Sequence, residues 1–359
     1  MRFKRVTAVI SGLMIMAALA GCGSTAPATP GSNAATGAVS ESTAGTETTQ
    51  SAVQALKGEI TIYTSQPEAD IQALIEAFNK KQPDIKMNVF RSGTEEVISK
   101  ILAEKQANSI LADLLLVADA ATFESLKSQD LLLSYKSPEL EGIGSDYYDA
   151  DNTYAGTKII STGIIVNTDV IKKEITSLAD LTSPDLKDQS IMPSPLYSGA
   201  AAYNLGVITR TDGLGWDFYE KLKANGVKVD QGNGAIQKAV VAGQKGCGII
   251  VDYMALRSKA DGAPVEFIYP KEGSLSVTEP IGIVKGTKKE ELAKAFVDFI
   301  LSTDGQKATA EIGYTPIKSG VQPPEGFKSI DEIRNLTYDL GELVKTRNDD
   351  KEKFSKLFG

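Results

Sequence analysis

The uncharged stretch PSPLYSGAAAYNLG, residues 193–206, has the residue types to hold an anion. Gly199 lets the backbone approach a ligand closely, and the alanines after it favour helix. The N–H groups of a first helical turn have no acceptor within the helix; with the helix dipole they form an anion site. Ser198 would act as N-cap or direct donor, and Tyr197 would add a hydroxyl or lie along the ligand. The same residues also suit an ordinary capped helix packed through small side chains.

Similar turns recur along the chain. RSGTEE, residues 91–96, offers Ser92 and Thr94 hydroxyls at a strand-to-helix junction, although Thr94 also reads as plain capping. Thr64-Ser65-Gln66 follows a strand, where such loops carry ligand contacts. Asn233, between two glycines, can cap a helix or donate. Asp119 and Asp252-Tyr253 follow buried strands; each acid is either an N-cap or the partner of a ligand ammonium. Thr162 would reach the ligand from below. Together these groups permit a zwitterion, with oxyanion atoms on Ser198, Gly199 and Ala200 and an ammonium on Asp119 or Asp252.

Other chemistries are poorly served. The 359-residue chain has no histidine, which removes Ser-His and Cys-His nucleophile pairs and most zinc sites. No metal site or cofactor is expected. A carboxylate-based hydrolase stays open, without a sharp motif for it. The net charge of −8 and the lack of a basic stripe argue against nucleic acid. Of two cysteines, Cys247 sits in the apolar run GCGIIV and reads as a small buried hydrophobe, so no disulfide framework exists.

The elements that position these residues alternate. Strands are predicted at 59–63, 85–90 and 111–117, each followed by a helix, at 68–82, 94–108 and 122–129. Ile71, Leu74, Ile75 and Phe78 show the helical spacing. This series calls for a parallel sheet covered by helices. A long apolar run, KIISTGIIVN at 158–167, then opens a second βα block: 190–192, 199–209, 216–225, 228–230, 234–243 and 246–253. Another long strand is expected at 277–285. Helices at 289–301, 304–312 and 329–335 and a charged tail finish the chain. The two long strands bracket about 110 residues, so the fold class expected is α/β with two lobes and two crossover hinge strands. Lobe 1 would span 57–162, lobe 2 163–278, and 279–359 would return to lobe 1.

The N-terminus reads as an address. Arg2, Lys4 and Arg5 precede an apolar run that ends in Leu19-Ala20-Gly21-Cys22. That tetrad resembles the bacterial lipobox, with residues 1–21 as signal peptide and Cys22 as the lipidated residue. Residues 22–56, rich in Ser, Thr, Ala and Gly, would form a flexible tether reaching roughly 30 Å. A tether of this length suits a Gram-positive surface, with the globular part held outside the cytoplasmic membrane.

The tether, ITIYTSQPEADIQALIEAFNKKQPDIKMNVF, ADLLLVAD, STGIIVNTDVI, MPSPLYSGAAAYNLG, VVAGQKGCGIIVDYMA and GYTPIK resemble extracellular solute-binding proteins of ABC importers. The nearest group is the ferric iron, 2-aminoethylphosphonate and sugar-phosphate branch, with the type II periplasmic-binding fold. The resemblance covers about residues 58–330. It implies no enzyme, hinge closure around a solute, ABC permease partners and a monomer. It also implies that Tyr197-Ser198-Gly199-Ala200 is the anion-binding segment. Where ferric members carry metal ligands, this chain has Pro67, Ala118 and Met254, and only Tyr253 is kept. One phenolate cannot hold Fe³⁺, which wants several hard oxygen donors. An organophosphorus solute is therefore expected, 2-aminoethylphosphonate or a sugar phosphate foremost. Alternatives are a ferric chelate or polyamine, a surface phosphate-ester hydrolase, and a sensor subunit.

Overall fold

The structure, a computed structural model, describes residues 56–359; the leader, Cys22 and nearly all of the tether lie outside the described residues. The first half of the fold begins with β1 (Gly58–Thr64), α1 (Glu68–Asn79), β2 (Ile85–Arg91) and α2 (Thr94–Gln106). It continues with β3 (Leu114–Leu116), α3 (Ala120–Ser128) and β4 (Leu132–Leu133). The long strand β5 (Ala155–Asn167) leads into β6 (Ser190–Pro193), α4 (Gly199–Ile208), α5 (Gly215–Ala224) and β7 (Lys228–Asp230). Next come α6 (Asn233–Val241), β8 (Cys247–Val251), α7 (Asp252–Ala260) and β9 (Val265–Ile268). The chain returns through β10 (Leu275–Val284) to α8 (Glu290–Leu301), α9 (Thr303–Ile312) and α10 (Leu340–Phe358).

One mixed sheet runs β2-β1-β3-β10-β5-β8-β6-β7, with β4 beside β10 and β9 beside β5. Within each half the pairs β1–β2, β1–β3, β6–β7 and β6–β8 are parallel, as the alternation predicts. The two crossovers are antiparallel to their neighbours. β10 pairs with β3 through Ile281–Ile283 and with β5 through Leu275–Ile281; β5 pairs with β8 through Thr162–Val166. Each crossover therefore serves both lobes. All thirteen residues of β5 are buried, which accounts for its near-continuous apolar run.

Lobe 1 packs around Ile71, Leu74, Ile75 and Phe78 of α1. Phe78 meets Phe296 edge to face at 5.1 Å, which ties α1 to α8. Lobe 2 packs α4 and α5 with Leu343 and Phe354 of α10. Cys247 is fully buried there, and burial pushes its thiol up to about 12, which leaves it unreactive.

Several elements differ from the sequence reading. Residues 329–335 form only a 3-10 turn at Ile330–Glu332, because the chain beyond it runs extended against β10, where Asn335 bridges Ser274. The charged tail is the 19-residue helix α10, and α7 and β9 follow β8 where no element was expected.

The crossovers meet at a bulge. Thr278 pairs with Ile159 and Pro280 with Gly156, so Glu279 faces both Thr157 and Lys158. Proline lacks an N–H, and a bulge is where a sheet tolerates it. Lys158 Nζ lies 2.5 Å from Glu279 Oε2, with both side chains buried. Lys158→Ala should cost about 3–5 kcal/mol in denaturant unfolding, because it strands the Glu279 charge; Lys158→Met with Glu279→Leu should cost far less.

α10 belongs to lobe 2 by its apolar residues but reaches lobe 1 with charges. Arg347 bonds Asp119 at 3.1 Å and Glu95 at 3.0 Å, and Lys351 bonds Glu95 at 2.8 Å. Arg347→Ala should raise the radius of gyration in small-angle scattering by opening the lobes, and added salt should do the same more weakly to the parent chain. A lower melting temperature at unchanged radius would mean that the pairs only fasten α10.

Candidate functional site

The predicted cradle stands at the contact between lobes. Ser198 caps α4, accepting from the Ala201 N–H at 3.3 Å, and the first intrahelical bond runs from Ala202 to the Ser198 carbonyl. The N–H groups of Gly199 and Ala200 precede that bond. A Cβ on Gly199 would lie 2.5 Å from the Ala118 carbonyl oxygen and 2.9 Å from Thr94, both in lobe 1. The absent side chain thus lets the lobes touch, in addition to freeing backbone donors. The Tyr197 ring fits between glycines in the same way: a Cβ on Gly93 would stand 2.7 Å from it, and one on Gly232 3.1 Å. The Tyr197 carbonyl accepts from the Glu95 N–H at 3.3 Å. The lobes are closed on each other here, and Tyr197 spends its ring on that closure.

The lobe-1 loop after β1 is held from within. Thr64 is fully buried; its hydroxyl donates to Leu116 O at 2.8 Å and accepts from the Gln66 N–H at 3.1 Å. Ser65 donates to Glu279 Oε1 at 3.2 Å and so reaches the hinge pair. Gln66 is buried with neither amide atom hydrogen-bonded. Ser92 donates to Glu96, and Thr94 opens α2.

The two acids differ. Asp119 caps α3 by accepting from the Thr122 N–H at 2.8 Å, and Arg347 occupies the rest of its carboxylate. The expected ammonium place on Asp119 is therefore filled by the protein's own guanidinium. Asp252 is also buried; its Oδ1 accepts from the Tyr253 N–H at 2.8 Å, while Oδ2 has no partner. Burial pushes this carboxyl up to about 7, against the lowering by backbone N–H groups and Arg257. Asn233 accepts from the Val251 N–H at 3.2 Å and fixes the end of β8 beside Asp252. Thr162 pairs with Val251 on β5, and its buried hydroxyl is also unpartnered.

Tyr253 stacks on Tyr314 with ring centroids 4.5 Å apart. Ala118, Ile160, Ala200, Tyr253, Val277 and Tyr314 form one buried cluster across the lobes. The fold thus joins residues that the sequence places up to 196 positions apart, taking Ala118 to Tyr314.

The sequence reading missed a second interlobe contact. Arg257, one turn beyond Tyr253 on α7, donates to both Asp70 oxygens at 3.0 Å, and Tyr314 donates to the same carboxylate. The guanidinium carbon lies 4.7 Å over the Tyr253 ring and 4.9 Å over Tyr314. Its Nε and Nη2 are buried without partners. The Tyr253–Arg257 spacing was the available signal, but only with α7 recognised as a helix. Among the described residues, no three His, Cys, Asp or Glu side chains converge as a metal site would require, and no helix is long and apolar enough to cross a membrane.

Known proteins match this architecture. A structure of the periplasmic binding protein AfuA from Actinobacillus pleuropneumoniae, with fructose-6-phosphate bound, superposes with a TM-score of 0.78 at 24% identity, covering 84% of this chain and 98% of that one. A probable ABC transporter periplasmic-binding protein of Sinorhizobium fredii is 25% identical over 283 residues, 74% of this chain and 76% of its own length. The spermidine/putrescine-binding periplasmic protein of Salmonella typhimurium is 29% identical over 177 residues, 46% of this chain and 50% of its own. These relatives are binding proteins. Residues 73–334 match the profile of the bacterial extracellular solute-binding proteins, and the chain belongs to that family.

Proposed function

We propose that the chain is the substrate-binding component of an ABC importer. It would capture a small anionic or zwitterionic organophosphorus solute, 2-aminoethylphosphonate or a sugar phosphate, by closing its lobes. The observation that carries this reading is the uncharged first turn of α4, capped by Ser198, pressed against Ala118 and Thr94 of the other lobe. Backbone N–H groups there can meet an oxyanion only when it enters between the lobes. Such a ligand makes differential contacts in the closed state and so favours it. A relative that carries fructose-6-phosphate supports an anionic solute. Cys22 would bear the lipid anchor, the protein would dock from outside on ABC permease subunits in the membrane, and it would act as a monomer. Pro67, Ala118 and Met254 at the metal-ligand positions weigh against ferric binding.

A second reading, a polyamine solute, draws on the Salmonella relative's name and on one residue: Asp252, whose free carboxyl oxygen suits an ammonium. The uncharged cradle suits it poorly.

Calorimetry against 2-aminoethylphosphonate, sugar phosphates, spermidine and ferric citrate should find tight binding among the phosphorus compounds alone. Ser198→Ala with Gly199→Val should weaken that binding by about a hundredfold or more, while the melting temperature falls little. Spermidine binding with no phosphorus-compound binding would overturn the proposal, and equal losses of affinity and stability would give the segment a packing role only.

Asp252 supplies a pH test that separates the two phosphorus ligands. Its folded pKa of about 7 exceeds the ordinary value of about 4. The folded state therefore holds the proton longer, and this group's contribution to stability falls as pH rises between those values and is constant above. For an ammonium-bearing ligand, affinity should strengthen from about pH 6 to about pH 8 as Asp252 ionises, and Asp252→Asn should flatten the profile. For a ligand with only an anion, Asp252→Asn should instead raise affinity at about pH 8 over the parent chain, a comparison in which the phosphoryl group's own second ionisation near about pH 6 cancels.

A further inference from the structure

The parallel strands of lobe 1 give it two unlike poles. β1, β2 and β3 begin at Gly58, Ile85 and Leu114 and lead to the loops of the candidate site at Ser65, Ser92 and Asp119. β10 runs against β3, so its last residue, Val284, lies among the strand starts. The pole opposite the candidate site is therefore built from strand starts, the ends of the preceding helices and the turn between β10 and α8.

Lysines gather at that pole. Lys105 in the last turn of α2 and Lys285, Lys288 and Lys289 after β10 border an open groove of about 550 Å³. Among the described residues, Asp113 is the one acid of its lining. That carboxylate is used internally: it accepts from the Thr61 N–H at 2.8 Å, from Thr287 at 2.6 Å and from Lys289 at 3.2 Å. Glu104 is taken by Tyr63, Lys100 and the Leu111 N–H, and Glu290 and Glu291 are taken by Lys294. Lys105 donates to the Gln129 carbonyl. Lys285 pairs with Asp130, but the two side chains are 51% and 79% exposed, so this pair yields readily to another anion. Lys288 is exposed, with no carboxylate partner among the described residues. In a chain of net charge −8, this pole presents positive charge.

Leu111 lines the same groove and is 61% exposed, more than any other large apolar side chain among the described residues. Its N–H is bonded to Glu104 at 3.1 Å, and Ala112 and Asp113 after it are buried, so its place is fixed. The chain before Leu56 joins at this pole too. The Gly58 N–H donates to the Asp84 carbonyl at 3.0 Å, and a Cβ on Gly58 would stand 2.9 Å from Leu292 Cδ1. Leu292 shares an adjoining surface hollow with Thr287, Lys288 and Lys289. An anchor at Cys22 would keep the groove within roughly 30 Å of lipid.

We infer that this pole docks on an anionic lipid leaflet, with the lysines on phosphate headgroups and Leu111 entering the interface. Each lysine near such a leaflet strengthens attachment by about fivefold, and an apolar side chain adds to it. A protein of negative net charge approaches that surface with a basic face first. Four lysines alone attach weakly; a tether makes the contact intramolecular and so effective. The candidate site then points away from the lipid, open to solute. The inference rests on the anchor proposed at Cys22 and not on the class of solute.

The test is hydrogen exchange of the full chain on vesicles of phosphatidylcholine alone and of phosphatidylcholine with phosphatidylglycerol. The anchor holds the chain on both, so a difference between them reports the groove. Amides of 107–112 and 285–289 should exchange about tenfold more slowly on the anionic vesicles, with lobe 2 unchanged. Lys285→Glu with Lys288→Glu should abolish the difference, and added salt or Leu111→Ser should reduce it. These side chains are exposed, so melting temperatures should move little and confirm that each variant folds. Equal exchange on both vesicle types, protection confined to other faces, or protection that survives the double variant would overturn the inference. Cys22 found without lipid by mass spectrometry, with the groove still protected on anionic vesicles, would support the surface and sink the anchor alone. Protection of the groove in a chain that binds no phosphorus compound would likewise support the surface and sink the proposed solute alone.

Discussion

The two lobes communicate through the point where β5 and β10 cross. There the bulge sets Glu279 against Lys158 inside a sheet whose strand β5 is buried throughout. Burying one charge alone would be prohibitive, and burying two is tolerable only with close pairing and further partners. Those partners come from both sides. Ser65 donates from the loop after β1, Thr157 donates to the Glu279 carbonyl at 2.6 Å, and Lys158 Nζ sits 4.8 Å from the centre of the Tyr314 ring. Tyr314 in turn bonds Asp70, which holds Arg257 of the opposite lobe. A chain of polar contacts therefore runs from the hinge floor to the interlobe face. A uniformly apolar floor would pack well but would fix neither the bulge nor the place of the loop that carries Gln66.

Closure is achieved by small residues. Gly93, Gly199 and Gly232 each leave room that a methyl group would fill, and the Tyr197 ring occupies two of those spaces. The residues suited to expose backbone N–H groups are thus also the ones that let the lobes meet. The two demands do not compete, because both call for the absence of a side chain. The Gln66 amide, the Thr162 hydroxyl and Asp252 Oδ2 are buried without partners. Each such group costs about 1–3 kcal/mol when water is removed and nothing replaces it. A solute that supplied those partners would turn the cost into affinity.

The sequence was most legible where local periodicity carried the information. α1 announced itself by Ile71, Leu74, Ile75 and Phe78, and β5 by a long apolar run interrupted only at Ser161-Thr162-Gly163. Helix α7 gave no such signal, because the face it buries includes Asp252, Tyr253 and Ser258. In α10 the buried residues Leu343 and Phe354 are eleven positions apart in a run of charges, so it read only as a charged tail. At 329–335 the reverse happened. The reciprocal Ser329–Glu332 capping bonds form, but the chain is drawn off to pair with β10 after one turn. Of the candidate site, the strand-end loops were readable as loops. The pairs Asp70–Arg257 and Asp119–Arg347 were not, since 187 and 228 residues separate their members.

The fates of the two buried acids follow from those unseen pairs. Both acids follow a buried strand, both lie near a helix start, and sequence alone made them equivalent. Asp119 meets a guanidinium delivered by α10 and spends its charge on holding that helix to lobe 1. Asp252 receives no hydrogen bond from Arg257, whose one partnered guanidinium nitrogen bonds Asp70. Desolvation then dominates at Asp252 and favours its neutral form, while Asp119, buried to the same degree, is paired with Arg347. The protein thereby divides two similar carboxylates into a structural one and a responsive one. The responsive one is held beside the first residue of α6 and the crossover strand β5, where a bound cation or a change of pH would act directly on the lobe that carries it.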